Sequence, residues 1–155
     1  MKRALASGLV FLQIALIAAL VLLPHGTLWP VTGPVIAAAI VLTLAGATFA
    51  ILGVTGLGPA LTASPVPRKQ APLVTTGVYG LVRHPIYTGL VVGGLGLALF
   101  GASPWHVGMW LALVVLLSAK ARWEERMLIA AHPDYRDYAA RVGRFLPGVG
   151  RMARR

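Results

Sequence analysis

The side chains able to do chemistry concentrate in two stretches of an otherwise apolar chain. The first is Gly77-Val78-Tyr79-Gly80-Leu81-Val82-Arg83-His84-Pro85-Ile86-Tyr87-Thr88-Gly89, and the second is Arg122-Trp123-Glu124-Glu125-Arg126. One carries a guanidinium, an imidazole and two phenols, and the other carries paired carboxylates. Ionisable groups near membrane depth are costly, so they are functional candidates by default. Each also has a plain structural reading. Arg83 and His84 suit the interface at a helix start with Pro85 as its first residue. Glu124 and Glu125 suit pairing with Arg122 and Arg126 on a solvated helix face. Gly89 and Gly93 suit close helix packing. Several other chemistries find no support. The chain has no cysteine, which removes disulfides, thiolate metal sites and Cys nucleophiles. His25, His106 and His132 lack metal-ligand spacing, and no nucleophile–base pair or Gly-rich phosphate loop appears.

The elements that must position these groups follow from composition. Of 155 residues, 57% are hydrophobic and 12% charged, against about 25% charged in soluble domains. From Ala4 to Pro67 there is no Lys, Arg, Asp or Glu, and all four acids fall between Glu124 and Asp137. This pattern predicts an all-α polytopic membrane protein and excludes a soluble enzyme, a disordered tail and a coiled coil. The net charge of +10 lies beside apolar runs and in the tail, so it reads as membrane topology, with no nucleic acid as partner.

About four transmembrane helices are expected. Ala4–Leu23 and Pro34–Leu57 each reach the roughly 20 residues a span requires. The four prolines between Gly58 and Pro72 predict a loop. Ile86–Phe100 and Trp105–Ala119 read as a short helical hairpin, its second arm running on to Ala131 through Lys120 and Glu125. Trp105, Trp110 and Trp123 are candidate interface markers. Pro133 is expected to open a C-terminal amphipathic helix with Tyr135, Tyr138, Ala139 and Val142 on one stripe, and Arg136, Arg141 and Arg144 are expected to meet lipid phosphate. Lys and Arg alternate between connections in a way that predicts both termini cytoplasmic, in a multi-pass protein of the cell membrane. The two chemistry-bearing stretches then sit at the two feet of one hairpin, facing one another.

At those stretches the sequence resembles the isoprenylcysteine carboxyl methyltransferase and phospholipid methyltransferase family. The resemblance rests on Gly77-x-Tyr79, Arg83-His84-Pro85-x-Tyr87-x-Gly89, Glu124-Glu125, Pro133-x-Tyr135-x-x-Tyr138 and Arg144-Phe145-Leu146-Pro147. It implies an integral membrane methyltransferase that binds S-adenosylmethionine at the cytoplasmic ends of the last two spans and acts on a lipophilic or lipidated acceptor. The expected layout is one membrane domain over 1–155: two spans in 1–57, a cytoplasmic loop at 58–73, a cofactor region at 74–147 and a basic tail at 148–155.

The resemblance also implies roles. Arg83 would hold the cofactor's carboxylate, with His84 on the same moiety or the ribose, and Pro85 would set free N–H groups toward the anion. Glu125, or else Glu124, would accept from the ammonium or ribose hydroxyls. Tyr79 and Tyr87 would pack on adenine or sulfonium, and Gly77 and Gly89 would allow close approach. No metal is expected. A carboxylate acceptor needs no general base, whereas an amine acceptor does, so O- and N-methylation both stand. An NADPH-dependent membrane reductase fits the glutamate pair poorly, and a non-catalytic membrane scaffold is the alternative from another class.

Overall fold

Leu, Val, Ile and Ala runs with no charge to solvate favour helices, because a helix satisfies its own backbone where water is absent. The computed structural model describes residues 2–58 and 72–153, and among these every element is helical. The helices are α1 (Lys2–Leu22), α2 (Gly33–Leu57), α3 (Pro85–Gly101), α4 (Pro104–Ala131) and α5 (Tyr135–Arg141). A 3-10 turn, Gly77–Gly80, precedes α3. Prolines stand in the first turn of α2, α3 and α4, where a missing N–H costs nothing. Three helices, α1, α2 and α4, are long and apolar enough to cross a membrane, while α3 is shorter. Most of the expected proline-rich loop lies outside the described residues.

One end of the bundle is stitched by backbone. Gly26 N donates to Gly101 O and Leu28 N to Ala102 O, both at 2.8 Å, and Trp29 Nε1 donates to Leu99 O at 2.9 Å. The two connections that lack basic residues therefore meet at the same end. Ser103 caps α4 there, accepting from His106 N and lying 2.8 Å from His106 Nδ1. His106 is buried in this turn, not placed at an interface. Trp105 is largely exposed, whereas Trp110 packs in the core and donates to Val91 O.

Two packing solutions hold the helices. Leu16 and Leu20 of α1 meet Ala98 of α3 and Leu113, Leu116 and Leu117 of α4 in an apolar core. Against α2, α3 packs by backbone approach. A Cβ on Gly89 would fall 2.5 Å from Gly46 O and 2.6 Å from Ala50 N, so Gly89 is a helix-packing residue. Large apolar side chains such as Phe11, Leu22 and Val41 face outward, as lipid solvation allows.

At the other end the chain folds back on itself. The amphipathic helix is shorter than expected and begins at Tyr135, with Asp134 at its N-cap, because a turn from His132 O to Tyr135 N closes first. Tyr135, Tyr138 and Ala139 are its buried stripe. Gly143 and Arg144 then run beside α3's start, where Arg83 N donates to Gly143 O and His84 N to Arg144 O. Thr88 Oγ1 donates to Phe145 O at 2.9 Å.

Gly46→Ala is expected to push α2 from α3 and lower stability by about 1–3 kcal/mol. Gly93→Ala should be neutral or slightly stabilising, since a Cβ there meets nothing nearer than 3.8 Å. Thermal unfolding of both variants in detergent checks the contrast.

Candidate functional site

The site forms where the start of α3, the late turns of α4 and the segment after α5 converge. Glu125 of α4 is its hub. Its Oε1 accepts from Arg83 Nε at 3.0 Å and Nη2 at 2.8 Å. Its two oxygens accept from Arg144 Nε at 3.1 Å each, and Oε2 accepts from Arg144 Nη2 at 2.7 Å. His84 Nε2 lies 3.3 Å from Oε1. The carboxylate side chain is only 3% exposed, so two guanidiniums hold it in a place that water barely reaches.

Arg83 is equally committed. Beyond Glu125, its Nη1 donates to the carbonyls of Ala139 and Val142, and its Nη2 donates to Gly150 O at 2.9 Å. All five N–H donors of the guanidinium are engaged, and its side chain is fully buried. The resemblance implies a fork offered to a ligand carboxylate, whereas in this structure the fork is occupied by the protein's own acceptors. Its donors tie α4, α5 and the C-terminal segment together.

Glu124 is placed differently from its neighbour. Its side chain is 26% exposed, and its Oε2 lies 3.6 Å from His84 Nδ1. Tyr87 Oη donates to the same oxygen at 3.2 Å, while among the described residues Oε1 has no hydrogen-bond partner. Neither glutamate pairs with Arg122 or Arg126, so the surface-pairing reading is overturned. Of the two, Glu124 has an oxygen left to offer. Tyr87 stacks parallel to His84 with centroids 5.4 Å apart, and Phe145 meets His84 edge-on.

The other expected residues serve the frame. Tyr79 is buried, donates to Gly53 O at 3.1 Å, and its carbonyl accepts from Tyr138 Oη at 2.6 Å. Burial pushes the Tyr138 phenol up to about 12, so it remains a donor at neutral pH. Pro85 is fully buried and opens α3, but Gly53 of α2 backs directly onto Pro85 and Ile86. Gly77 adopts φ +61°, which its turn requires, and lies apart from the cluster. Sequence reasoning missed Arg144, assigned to lipid phosphate. The signal was its place in the Arg144-Phe145-Leu146-Pro147 element.

The sequence profile of phospholipid methyltransferases matches residues 34–134. The chain belongs to the phospholipid methyltransferase family. The match covers α2 to α4, including Arg83, His84, Tyr87 and both glutamates, and it stops before Arg144. The cobalt-zinc-cadmium resistance protein CzcN of Cupriavidus metallidurans is 38% identical over 81 residues, 52% of this chain and 38% of that protein. The nickel-cobalt-cadmium resistance protein NccN of Alcaligenes xylosoxydans xylosoxydans is 37% identical over the same length and shares. An uncharacterised protein of Schizosaccharomyces pombe is 35% identical over 78 residues, 46% of this chain and 23% of that one. The matched part thus spans well under half of each relative. No solved structure matches the chain significantly. Among the described residues of this family member, no group of three or more His, Asp or Glu is placed to hold a metal ion.

Removing one partner of a buried ion cluster leaves the others uncompensated. Glu125→Ala is expected to cost about 3–5 kcal/mol and to expose the segment after α5 to limited proteolysis. Arg83→Lys should fail to restore the wild-type melting temperature, because one ammonium with three donors cannot reach four acceptor oxygens spread around a planar fork. Glu124→Ala should change stability far less.

Proposed function

We propose that this chain is a membrane methyltransferase that uses S-adenosylmethionine to methylate a lipophilic acceptor. The observation carrying the reading is Oε1 of Glu124, without a hydrogen-bond partner among the described residues and set beside aromatic rings in a family of membrane methyltransferases. The residues present suit that cofactor. Glu124 would accept from its ammonium or ribose hydroxyls. Arg144 makes its bonds to Glu125 through Nε and Nη2, leaving Nη1 to take the carboxylate that Arg83 has no donor for. Tyr87, His84 and Phe145 present ring faces and edges to adenine or sulfonium.

Bound S-adenosylmethionine would supply a methyl group on a sulfonium, open to in-line displacement by an acceptor lone pair. The chain's task is positioning in a dry site, which can supply much of such a rate. With a carboxylate acceptor no proton need move. With an amine acceptor, Glu124 and His84 are the groups within reach to take the proton.

The acceptor would enter from the bilayer. An apolar cavity of about 170 Å³ lies between α1, α2 and α3, lined by Leu20, Thr43, Gly46, Ala50, Leu90 and Gly94 among others. We read α3 as a fourth span, about 25 Å long, with the site end and both termini on the cytoplasmic side. The basic residues Arg68 and Lys69, with those after α4, favour that orientation.

Calorimetry in nonionic detergent should show S-adenosylhomocysteine binding to the wild type. Glu124→Ala should weaken it by about tenfold or more, the worth of a charged hydrogen bond. A folded wild type that binds none would overturn the reading. Transfer of labelled methyl from S-adenosylmethionine to a lipid extract, followed by mild base, separates esters from stable N-methyl products.

A further inference from the structure

Among the described residues, Lys120 is the one buried cation that the site described so far does not use. It lies on α4, one turn before Glu124 and so about 6 Å further toward the apolar core. It is 3% exposed. Its Nζ donates to Gln13 Oε1 of α1 at 2.5 Å and stands 5.2 Å from the Tyr87 ring centroid. An amide oxygen and an aromatic face both favour an ammonium, but neither carries a formal negative charge. The ion pairs among the described residues run from Arg83, His84 and Arg144 to the two glutamates. Lys120 has none. A buried charge is ordinarily paired, because desolvation is otherwise uncompensated. Arg83 and Arg144 obey that rule in the same site, which makes the exception informative. An ammonium has three donors, and only one here is used.

We propose that Lys120 receives an oxyanion of the methyl acceptor, and that Gln13 holds the ammonium in place for it. The proposal rests on the methyltransferase reading for the identity of the ligand as acceptor. It explains two features that reading leaves unused. One is a lysine kept beside the apolar core formed by Leu116 and Leu117. The other is the reach of α1, which lies outside the family match at 34–134, to that lysine through Gln13. The anion sits on Lys120 beside the Tyr87 ring, with its apolar tail among the helices. A neutral or purely cationic lipid gains nothing there and leaves the lysine unpaired, so Lys120 selects acceptors by charge. The shared chemistry is an oxyanion, carried by a carboxylate or by a headgroup phosphate.

The test uses the full chain in a nonionic detergent and reads thermal stabilisation by matched lipids. Oleate is compared with methyl oleate, and oleoyl lysophosphatidate with monoolein. Each anion should raise the unfolding midpoint and its neutral counterpart should not. Stabilisation by oleate alone assigns a carboxylate, and stabilisation by lysophosphatidate assigns a phosphate-bearing headgroup. Lys120→Gln should weaken apparent anion affinity by about tenfold or more, and Lys120→Arg should keep most of it. Gln13→Glu sets a carboxylate against the lysine from within. It should fold as well as the wild type and lose the anion response, which decides the matter if Lys120→Gln fails to fold. Equal gains from anions and their neutral counterparts, or an undiminished anion response in the folded variants, overturn the proposal. S-adenosylhomocysteine binding is measured in parallel and should survive Lys120→Gln. A wild type that binds cofactor but shows no anion response refutes the acceptor site alone, whereas a wild type that responds to anions without binding cofactor refutes the methyltransferase reading instead.

Discussion

A single carboxylate, on Glu125, decides the arrangement of everything at the polar end of this bundle. It is shared by two guanidiniums and touched by an imidazole. In water such contacts are worth little, but here Glu125, Arg83 and His84 are almost wholly desolvated and only Arg144 keeps part of its surface in contact with solvent. A buried cluster of this kind adds little net stability over well-packed apolar residues. Its strength lies in how much is lost when one member is displaced. That asymmetry selects one arrangement of α3, α4 and the C-terminal segment out of the many that apolar packing alone would tolerate.

The consequence for the site is geometric. Consecutive helical residues point about 100° apart, so a carboxylate locked inward at position 125 turns its neighbour at 124 toward Tyr87 and His84. The charged hub and the available oxygen are therefore products of one helix phase. Arg83 performs the same service from the other side. By donating to Ala139, Val142 and Gly150 carbonyls, it brings Arg144 up to Glu125 with one nitrogen to spare. The protein builds an open position by filling the ones around it.

How much of this could be read beforehand follows the range of the interactions. The helices were legible because hydropathy and proline placement are local, and the boundaries of α2 and α3 and the start of α4 fall within a residue or two of the apolar runs. That Arg83, His84, Tyr87, Glu124 and Glu125 share one site was also legible, since a tight hairpin leaves its feet no other neighbours. The division of labour was not. Whether an arginine is a free fork or a filled one depends on carbonyls from residues 139 to 150, far along the chain. Gly89 had both a cofactor reading and a packing reading, and only the position of Gly46 on α2 separates them. Arg144 looked like one more basic residue after an amphipathic helix, because sequence does not show that the segment folds back over α3. The pairing of Lys120 with Gln13 joins residues at opposite ends of the chain, and no local pattern announces it.

The scarcity of charge in this chain bears on the kind of reaction it can favour. The polar groups of the site are shut away from bulk water, and there unlike charges attract far more strongly than in water. Under the proposed function with an oxyanion as nucleophile, the bond to methyl forms as the bond to sulfur breaks. The electron pair stays on sulfur, and a positive and a negative charge disappear together. A dry pocket favours that change, since the neutral pair of products needs no solvation that the walls cannot give. The same pocket disfavours releasing a proton from an ammonium unless a base stands ready. An otherwise unpaired lysine then has a simple part in the cycle: it holds the nucleophile while it is charged, and its hold lapses once the charge is gone.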